Sequence, residues 1–293
     1  MKFWSAREEQ AAQYLVDRAL EEDLDAAGDL TTQALIPDQA TGKARWLARQ
    51  AGVICGLPIV ELVWRRLSVA VKASWHVQDG DSVPAEAILG EIRGPTSAIL
   101  TAERTILNFL QRLSGIATLT RKFVEAVHGT SCAILDTRKT TPGWRILEKY
   151  AVRCGGGHNH RLGLYDGILI KDNHLAVLAE HGVSLKEAVR RVRERFGQRL
   201  PVEIEADSLD QLTAAIRAGA DIVLLDNMDV LTLRQAVALR NEIAPHVLLE
   251  ASGGITLANV RAVAETGVDR ISIGALTHSA PALDIALDFA GRD

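Results

Sequence analysis

Asp136-Thr137-Arg138-Lys139-Thr140-Thr141-Pro142 sets two cations and three hydroxyl side chains directly after the apolar run 133–135. Further on come His158-Asn159-His160-Arg161-Leu162-Gly163-Leu164, and then Lys171 at the end of Gly167-Ile168-Leu169-Ile170-Lys171. Arg presents a planar fork that matches carboxylate or phosphate, and Lys a compact point charge, so this set suits a small substrate with several anionic groups. The bland alternative is that the cations pair with Asp136, Glu148, Asp166 and Asp172 in surface networks, where ion pairs contribute little. That alternative weakens because the cations end successive apolar runs.

Acids and glycines complete the set. Glu203 and Glu205 share one strand face by period-two alternation, and Asp226 ends the next apolar run. Acids beside cations suit Mg²⁺ or ribose hydroxyls, although one of the glutamates could instead be a salt-bridge partner of Lys139 or Lys171. Ser252-Gly253-Gly254 and Ile273-Gly274-Ala275 each follow an apolar run, and such turns let backbone N–H groups approach a phosphate. Cys154-Gly-Gly-Gly-His158-Asn-His160 has thiol and imidazole groups but no fourth ligand at zinc spacing, so it reads as a tight, flexible loop rather than a metal site.

The elements that must carry these residues are legible in outline. A surface helix is expected over 4–24, with Tyr14, Leu15 and Ala19 on its apolar side. Short apolar runs at 44–53, 69–77 and 88–92, broken by Gly, Pro and Asp, predict a small antiparallel sheet with a helix near 60–67. Residues 97–127 read as helical, with Arg104, Asn108 and Arg112 on a polar stripe and Gly115 as a break into two helices. Beyond that, strands are expected at 133–135, 168–170, 202–204, 222–225, 247–249 and 271–273, with amphipathic helices such as 209–218 between several of them. Glu205, Asp226, Ser252 and Gly274 follow four of these strands at gaps of 21, 26 and 22 residues. That interval suits one βα unit. A parallel barrel and a doubly wound sheet both place such residues at one functional face, and periodicity does not separate the two.

Composition narrows the function class. With 293 residues, Lys+Arg 33 against Asp+Glu 37 and a net charge of -4, no whole-chain basic field exists to hold nucleic acid or an anionic membrane. The longest charge-free stretch, 271–283, is too short for a spanning helix and contains His278. The start MKFWSAREEQ has no apolar signal region, and three cysteines without CxxC spacing fit reduced thiols, so a cytoplasmic protein is expected.

The blocks Asp136-Thr-Arg-Lys-Thr-Thr-Pro-Gly, Gly155-Gly-Gly-His-Asn-His-Arg-Leu-Gly-Leu-Tyr-Asp, Leu169-Ile-Lys-Asp-Asn-His, Leu224-Leu-Asp-Asn and Glu250-Ala-Ser-Gly-Gly-Ile together resemble the quinolinate phosphoribosyltransferases. Further matches are Glu22-Asp-Leu, Gly28-Asp-Leu-Thr-Thr, Glu103-Arg-Thr and Ser272-Ile-Gly-Ala-Leu-Thr-His, so the resemblance spans almost the whole chain. It implies an α/β fold: an amino-terminal open-sandwich domain over 1–113, joined by a last helix at 278–293, and an incomplete, seven-stranded α/β barrel over 114–277. It implies transfer of phosphoribose from phosphoribosyl pyrophosphate to quinolinate with decarboxylation, giving nicotinate mononucleotide, pyrophosphate and CO₂ in NAD biosynthesis.

By motif match, Arg104, Arg138 and Arg161 would bind the two quinolinate carboxylates, with Arg104 supplied by the neighbouring subunit of a head-to-tail homodimer that could assemble further. Thr137, Lys139, His160 and Lys171 would line the same pocket, and Lys139, Lys171, Glu205 and Asp226 would act in catalysis. Glu205 and Asp226 would hold the ribose and, partly through substrate, Mg²⁺, while Ser252, Gly253, Gly254, Ile273, Gly274 and Ala275 would take the 5-phosphate. Three rivals are a molybdate-locus relative of the same fold, a Schiff-base aldolase using Lys171, and a non-enzymatic anion- or nucleic-acid-binding module. The Asn159-His-Arg-Leu-Gly-Leu and Ile170-Lys-Asp-Asn-His blocks fit the quinolinate enzyme better than the molybdate-locus relative.

Overall fold

A computed structural model describes residues 4–289. The chain forms two compact units, one built from its amino-terminal residues to 121 with 139–156 and the segment after 274, the other from 122–138 and 157–274. These units are defined by packing, whereas the expected domains are 1–113, rejoined by 278–293, and 114–277. The helix Thr96–Ala126 runs without a break. Gly115 does not split it: a Cβ there would lie 2.0 Å from the carbonyl oxygen of Pro281, so this glycine serves a close backbone approach.

In the first unit the helix Ala6–Leu24 begins with a capping box between Ser5 and Glu8. Its buried stripe is Glu8, Ala12, Val16 and Leu20, whereas Tyr14 is exposed. Ala12, Val16 and Leu20 follow one another at i,i+4, a different face from the expected one, and Glu8 on that face pairs with Arg153 at 2.7 Å. Strands β1 (Thr41–Ala48), β2 (Gly52–Val53), β3 (Lys72–Trp75), β4 (Ser82–Val83) and β5 (Ala87–Pro95) follow, with the helix Leu57–Arg66 between β2 and β3. β1 pairs antiparallel with β5 and β5 with β3, and β2 pairs with β4 in a separate ribbon. The helix Arg145–Cys154 belongs to this unit and is buried over most of its length.

The second unit holds β6 (Ala133–Leu135), β7 (Ile168–Ile170), β8 (Val202–Ala206), β9 (Ile222–Asp226), β10 (Leu248–Ser252) and β11 (Arg270–Ser272). All neighbours are parallel, in the order β6-β11-β10-β9-β8-β7. The first strand lies beside the last and the others run in sequence. That is the order of a barrel with an open seam, not of a doubly wound sheet. Ile222 to Leu225 are all buried, as expected of a parallel strand covered on both faces.

Six strands, not seven, make up this sheet among the described residues. At the free edge of β6 only a single parallel bridge forms, Leu135 with His158, after the three glycines 155–157. Glycines neither stiffen a strand nor offer side chains to pack, so the pairing stops at one residue. The expected closing helix 278–293 is also replaced. A short helix, Ala275–His278, leads to β12 (Ile285–Phe289), which pairs antiparallel with β1. Ile285 and Leu287 are buried and alternate with more exposed residues, a period of two rather than of a helix. Residues 290–293 of that expected helix lie outside the described residues.

Candidate active site

Most of the residues singled out from the sequence follow the carboxyl ends of the parallel strands, and local chemistry explains how they are held. Asp136 follows β6 and is buried; it accepts the side-chain amide of Asn159 at 2.6 Å and the backbone N–H of His160 at 2.9 Å. It thereby ties the turn carrying Thr137 and Arg138 to the loop carrying His160 and Arg161. Asp166 accepts the backbone N–H of Leu162, and Glu148 takes Arg112 at 2.6 Å in the first unit. Arg112 is therefore a structural ion-pair partner, unlike Arg104 and Asn108 on the same stripe, which are exposed.

Arg138 and Arg161 come together. Burial first, then the charge of Arg138, push the Arg161 pKa down, while Glu203 opposes the shift. The buried Nε of Arg138 has no hydrogen-bond partner, and Arg161 Nη1 donates to the carbonyl of Gly167 at 3.2 Å. Two guanidinium groups whose charges act on one another, one with an unanswered donor, suit an anion.

Lys171 follows β7, and its Nζ lies 3.0 Å from Glu205 Oε2 on β8. Of the two glutamates sharing that strand face, Glu205 is the lysine partner. Glu203 lies deeper, 3.0 Å from His160 Nε2 through Oε2, and Glu250 of β10 reaches within 3.4 Å of the same nitrogen. Glu250 is wholly buried, and only the Ser272 hydroxyl, His160 and Arg270 answer its carboxyl. Burial first and then the charge of Glu203 push its carboxyl up to about 7, against the pull of His160. A cavity of about 320 Å³ adjoins these groups, lined by His158, His160, Arg161, Glu203 and Arg270 among others.

On the other side, Asp226 Oδ2 accepts the Asn227 side-chain amide at 2.7 Å, and the Asn227 N–H donates to the carbonyl of Ser252 at 2.8 Å. Asn227 takes a left-handed φ of 54°. A Cβ on Gly253 would fall 2.1 Å from Asn227 Oδ1, so only glycine fits there, whereas the corresponding space at Gly254 is open. The acid and the glycine turn are thus built as one piece. Ile273 N–H donates to the carbonyl of Leu135, which sets the Gly274 turn after β11.

The second unit therefore gathers Thr137, Arg138, His160, Arg161, Lys171, Glu205, Asp226, Ser252, Gly253, Gly254, Ile273 and Gly274. Arg104, Lys139 and Ala275 belong to the first unit; Arg104 and Lys139 are exposed, and the Lys139 carbonyl accepts from Thr277 Oγ1 at 2.8 Å. The Gly-rich loop gathers no common metal set: Cys154 lies with Cys55 and Asp79, and His160 with Glu203 and Glu250. Sequence reasoning gave no role to Glu250 or Asn227. Glu250 stands two residues before Ser252, the same spacing that puts Glu203 and Glu205 on one face, and that signal was present. A larger groove, about 1010 Å³, is lined by Arg190 and Arg193 among others, but these are paired with Glu187, Glu194 and Asp221. It offers no comparable anion site. No helix among the described residues is long and apolar enough to cross a membrane.

Two family models match the chain: the quinolinate phosphoribosyl transferase N-terminal domain over residues 29–114 and the C-terminal domain over residues 116–288. A nicotinate-nucleotide pyrophosphorylase [carboxylating] of Mycobacterium leprae is 45% identical over 280 residues, covering 95% of this chain and 97% of that protein. A probable nicotinate-nucleotide pyrophosphorylase [carboxylating] of Bacillus subtilis is 44% identical over 261 residues, 89% of this chain and 88% of its own length. Among solved structures, the nicotinate-nucleotide pyrophosphorylase of Francisella tularensis superposes with a TM-score of 0.88 at 41% identity, covering 96% of each chain.

Proposed function

Because this chain belongs to the quinolinate phosphoribosyltransferase family, we propose how its own residues carry the family's reaction. It transfers phosphoribose from phosphoribosyl pyrophosphate to quinolinate with decarboxylation, yielding nicotinate mononucleotide, pyrophosphate and CO₂, a step of NAD biosynthesis. The molybdate-locus alternative is not favoured, since the relatives with 44% and 45% identity are named as nicotinate-nucleotide pyrophosphorylases [carboxylating].

The observation that carries the site assignment is the Arg138–Arg161 pair with the unpartnered Arg138 Nε. These guanidiniums bind the quinolinate carboxylates, with Thr137 and His160 beside them. Lys171 and Lys139 neutralise charge on the substrates and the departing pyrophosphate. Glu205 and Asp226 face the ribose as the C1–pyrophosphate bond breaks and the sugar gains oxocarbenium character. The pyridine nitrogen's lone pair then forms the new bond to C1. With that nitrogen cationic, the adjacent carboxylate leaves as CO₂, the electron pair of the broken C–C bond stays on the ring carbon, and a proton from solvent replaces the lost group. The protein's part in that step is to hold the ring. The turns at Ser252–Gly254 and at Ile273, Gly274 and Ala275 receive the 5-phosphate through backbone N–H groups.

Mg²⁺ fits the donor set: Glu205 and Asp226 are hard oxygen donors at the ends of neighbouring strands. Among the described residues they form no three-ligand group, which suits an ion brought partly by substrate phosphates. When bound it would neutralise charge on the pyrophosphate. We read the single bridge at His158 as the remnant of a seventh barrel strand, and the protein as a cytoplasmic homodimer in which Arg104 completes the neighbour's site. Mixing inactive Arg104→Ala and Lys171→Ala chains under subunit exchange should then restore up to roughly a quarter of wild-type activity at equal mixing; no recovery would place Arg104 elsewhere. The reaction itself is tested by supplying quinolinate, phosphoribosyl pyrophosphate and Mg²⁺. Quinolinate loss and CO₂ release should match one to one and stop on chelation of the metal; quinolinate loss without CO₂ would contradict the assignment.

A further inference from the structure

His160 has both ring nitrogens committed inside the second unit. Nδ1 accepts the backbone N–H of Arg161 at 2.8 Å. A ring nitrogen that accepts carries no hydrogen, so the imidazole proton is on Nε2. Nε2 lies 3.0 Å from Glu203 Oε2, to which it donates, with Glu250 Oε1 behind at 3.4 Å. Only 11% of the His160 side chain is exposed, and Glu203 is buried to 3%. The backbone N–H of His160 is also taken, by Asp136.

His160, Glu203 and Glu250 also have the spacing of a metal site. Ligation by Nε2 would require that nitrogen to give up its proton. A proton moved to Nδ1 would then face the Arg161 N–H, donor against donor. Arg270 Nη1, 3.9 Å from Glu250 Oε2, already brings positive charge to the group. The chemistry favours a hydrogen-bonded strut over a cation site.

We propose that Glu203 and His160 are positioning residues for Arg161: the buried glutamate fixes the imidazole, and the imidazole fixes the Arg161 backbone whose guanidinium is braced at Gly167. The resemblance makes His160 a pocket-lining residue; the strut adds to that place the positioning of Arg161. This rests on the reading of Arg161 as a quinolinate ligand. Its consequence is selective, since loosening the strut disturbs quinolinate and leaves the phosphoribosyl side intact.

Two measurements test it. In ¹⁵N-histidine-labelled wild-type protein, with the His160 signals assigned by their loss in His160→Gln, the ring should be the Nε2-protonated form and stay so on saturation with quinolinate. An Nδ1-protonated or doubly protonated ring, or a change of form on binding, would overturn the proposal. In kinetics, Glu203→Leu should raise KM for quinolinate roughly tenfold and KM for phosphoribosyl pyrophosphate less than about twofold. Glu203→Gln, which keeps an acceptor oxygen, should recover most of the loss. Equal rises in both KM values, or none, would overturn it, as would stoichiometric Zn²⁺ retained by wild type after dialysis and lost in Glu203→Leu. Arg161→Ala separates the two levels. If it raises KM for quinolinate while Glu203→Leu does not, only the strut fails; if it has no effect, the assignment of Arg161 fails and the strut's role with it.

Discussion

Asp79 in the first unit and Glu250 in the second are both carboxyls raised by burial, yet they are treated in opposite ways. Asp79 Oδ2 accepts the Gly56 N–H at 2.9 Å and the Tyr150 hydroxyl at 2.5 Å, and Oδ1 accepts the Leu57 N–H at 3.0 Å. It caps the helix Leu57–Arg66, whose left-handed Gly56 has no side chain to do so, and ties the helix Arg145–Cys154 to the same turn. Glu250 has no backbone N–H of this kind: the Ser272 hydroxyl draws on it, and its nearest side-chain nitrogens are His160 Nε2 at 3.4 Å and Arg270 Nη1 at 3.9 Å. Nothing about folding requires a buried carboxyl with so few partners. The first carboxyl is a joint between elements; the second is held with few partners.

Three changes can break or sharpen that contrast. The largest effect belongs to Lys171→Ala. Its ion pair with Glu205 is half-exposed on the lysine side and worth about 1 kcal/mol at most, whereas loss of a cation acting on developing charge costs roughly 10²–10³ in kcat. Turnover should collapse while the melting temperature moves by only about 2 °C. A much lower melting temperature with activity retained would make Lys171 a joint of the Asp79 kind.

Asp79→Ala should do the reverse. Two backbone N–H groups and a buried hydroxyl lose their acceptor, for about 2–4 kcal/mol in urea denaturation, with KM for both substrates unchanged. An unaltered denaturation midpoint would erase the distinction between the two carboxyls.

Glu250→Gln is the smallest. The carboxyl's pKa is raised from 4.5 to about 7, so the folded state retains a proton that the unfolded chain releases. Wild-type stability attributable to this group is full below about pH 4.5 and declines as pH rises through 7. The glutamine variant, permanently neutral, should lack that decline, a difference on the order of 2 kcal/mol between pH 5 and 7.5. Parallel stability–pH curves for the two proteins would show that Glu250 is no buried reserve of charge.

Much of this was readable before any coordinates. The apolar runs that became β6 to β11 are continuous because both faces are covered, and the cations and acids that end them stand at βα intervals. What escaped reading depends on long-range packing. Gly115 reads as a helix breaker until Pro281, far along the chain, is seen to press on it. The segment Ile285–Phe289 is too short for its period to compete with helical propensity until β1 offers an edge. The partition of Glu203 inward and Glu205 toward Lys171 cannot come from alternation, which puts both on one face and says nothing of depth. Asn227 carries no signal of its own in the sequence; its left-handed backbone against Gly253 is what makes it part of the turn.

The central claim is that the Arg138–Arg161 pair belongs to a site for both quinolinate carboxylates. The measurement that meets it most directly is kcat/KM for quinolinate against kcat/KM for nicotinate, with saturating phosphoribosyl pyrophosphate and Mg²⁺. Nicotinate leaves a desolvated guanidinium without its partner, and the account predicts a preference for quinolinate of at least about a thousandfold. Comparable values for the two acids would contradict it.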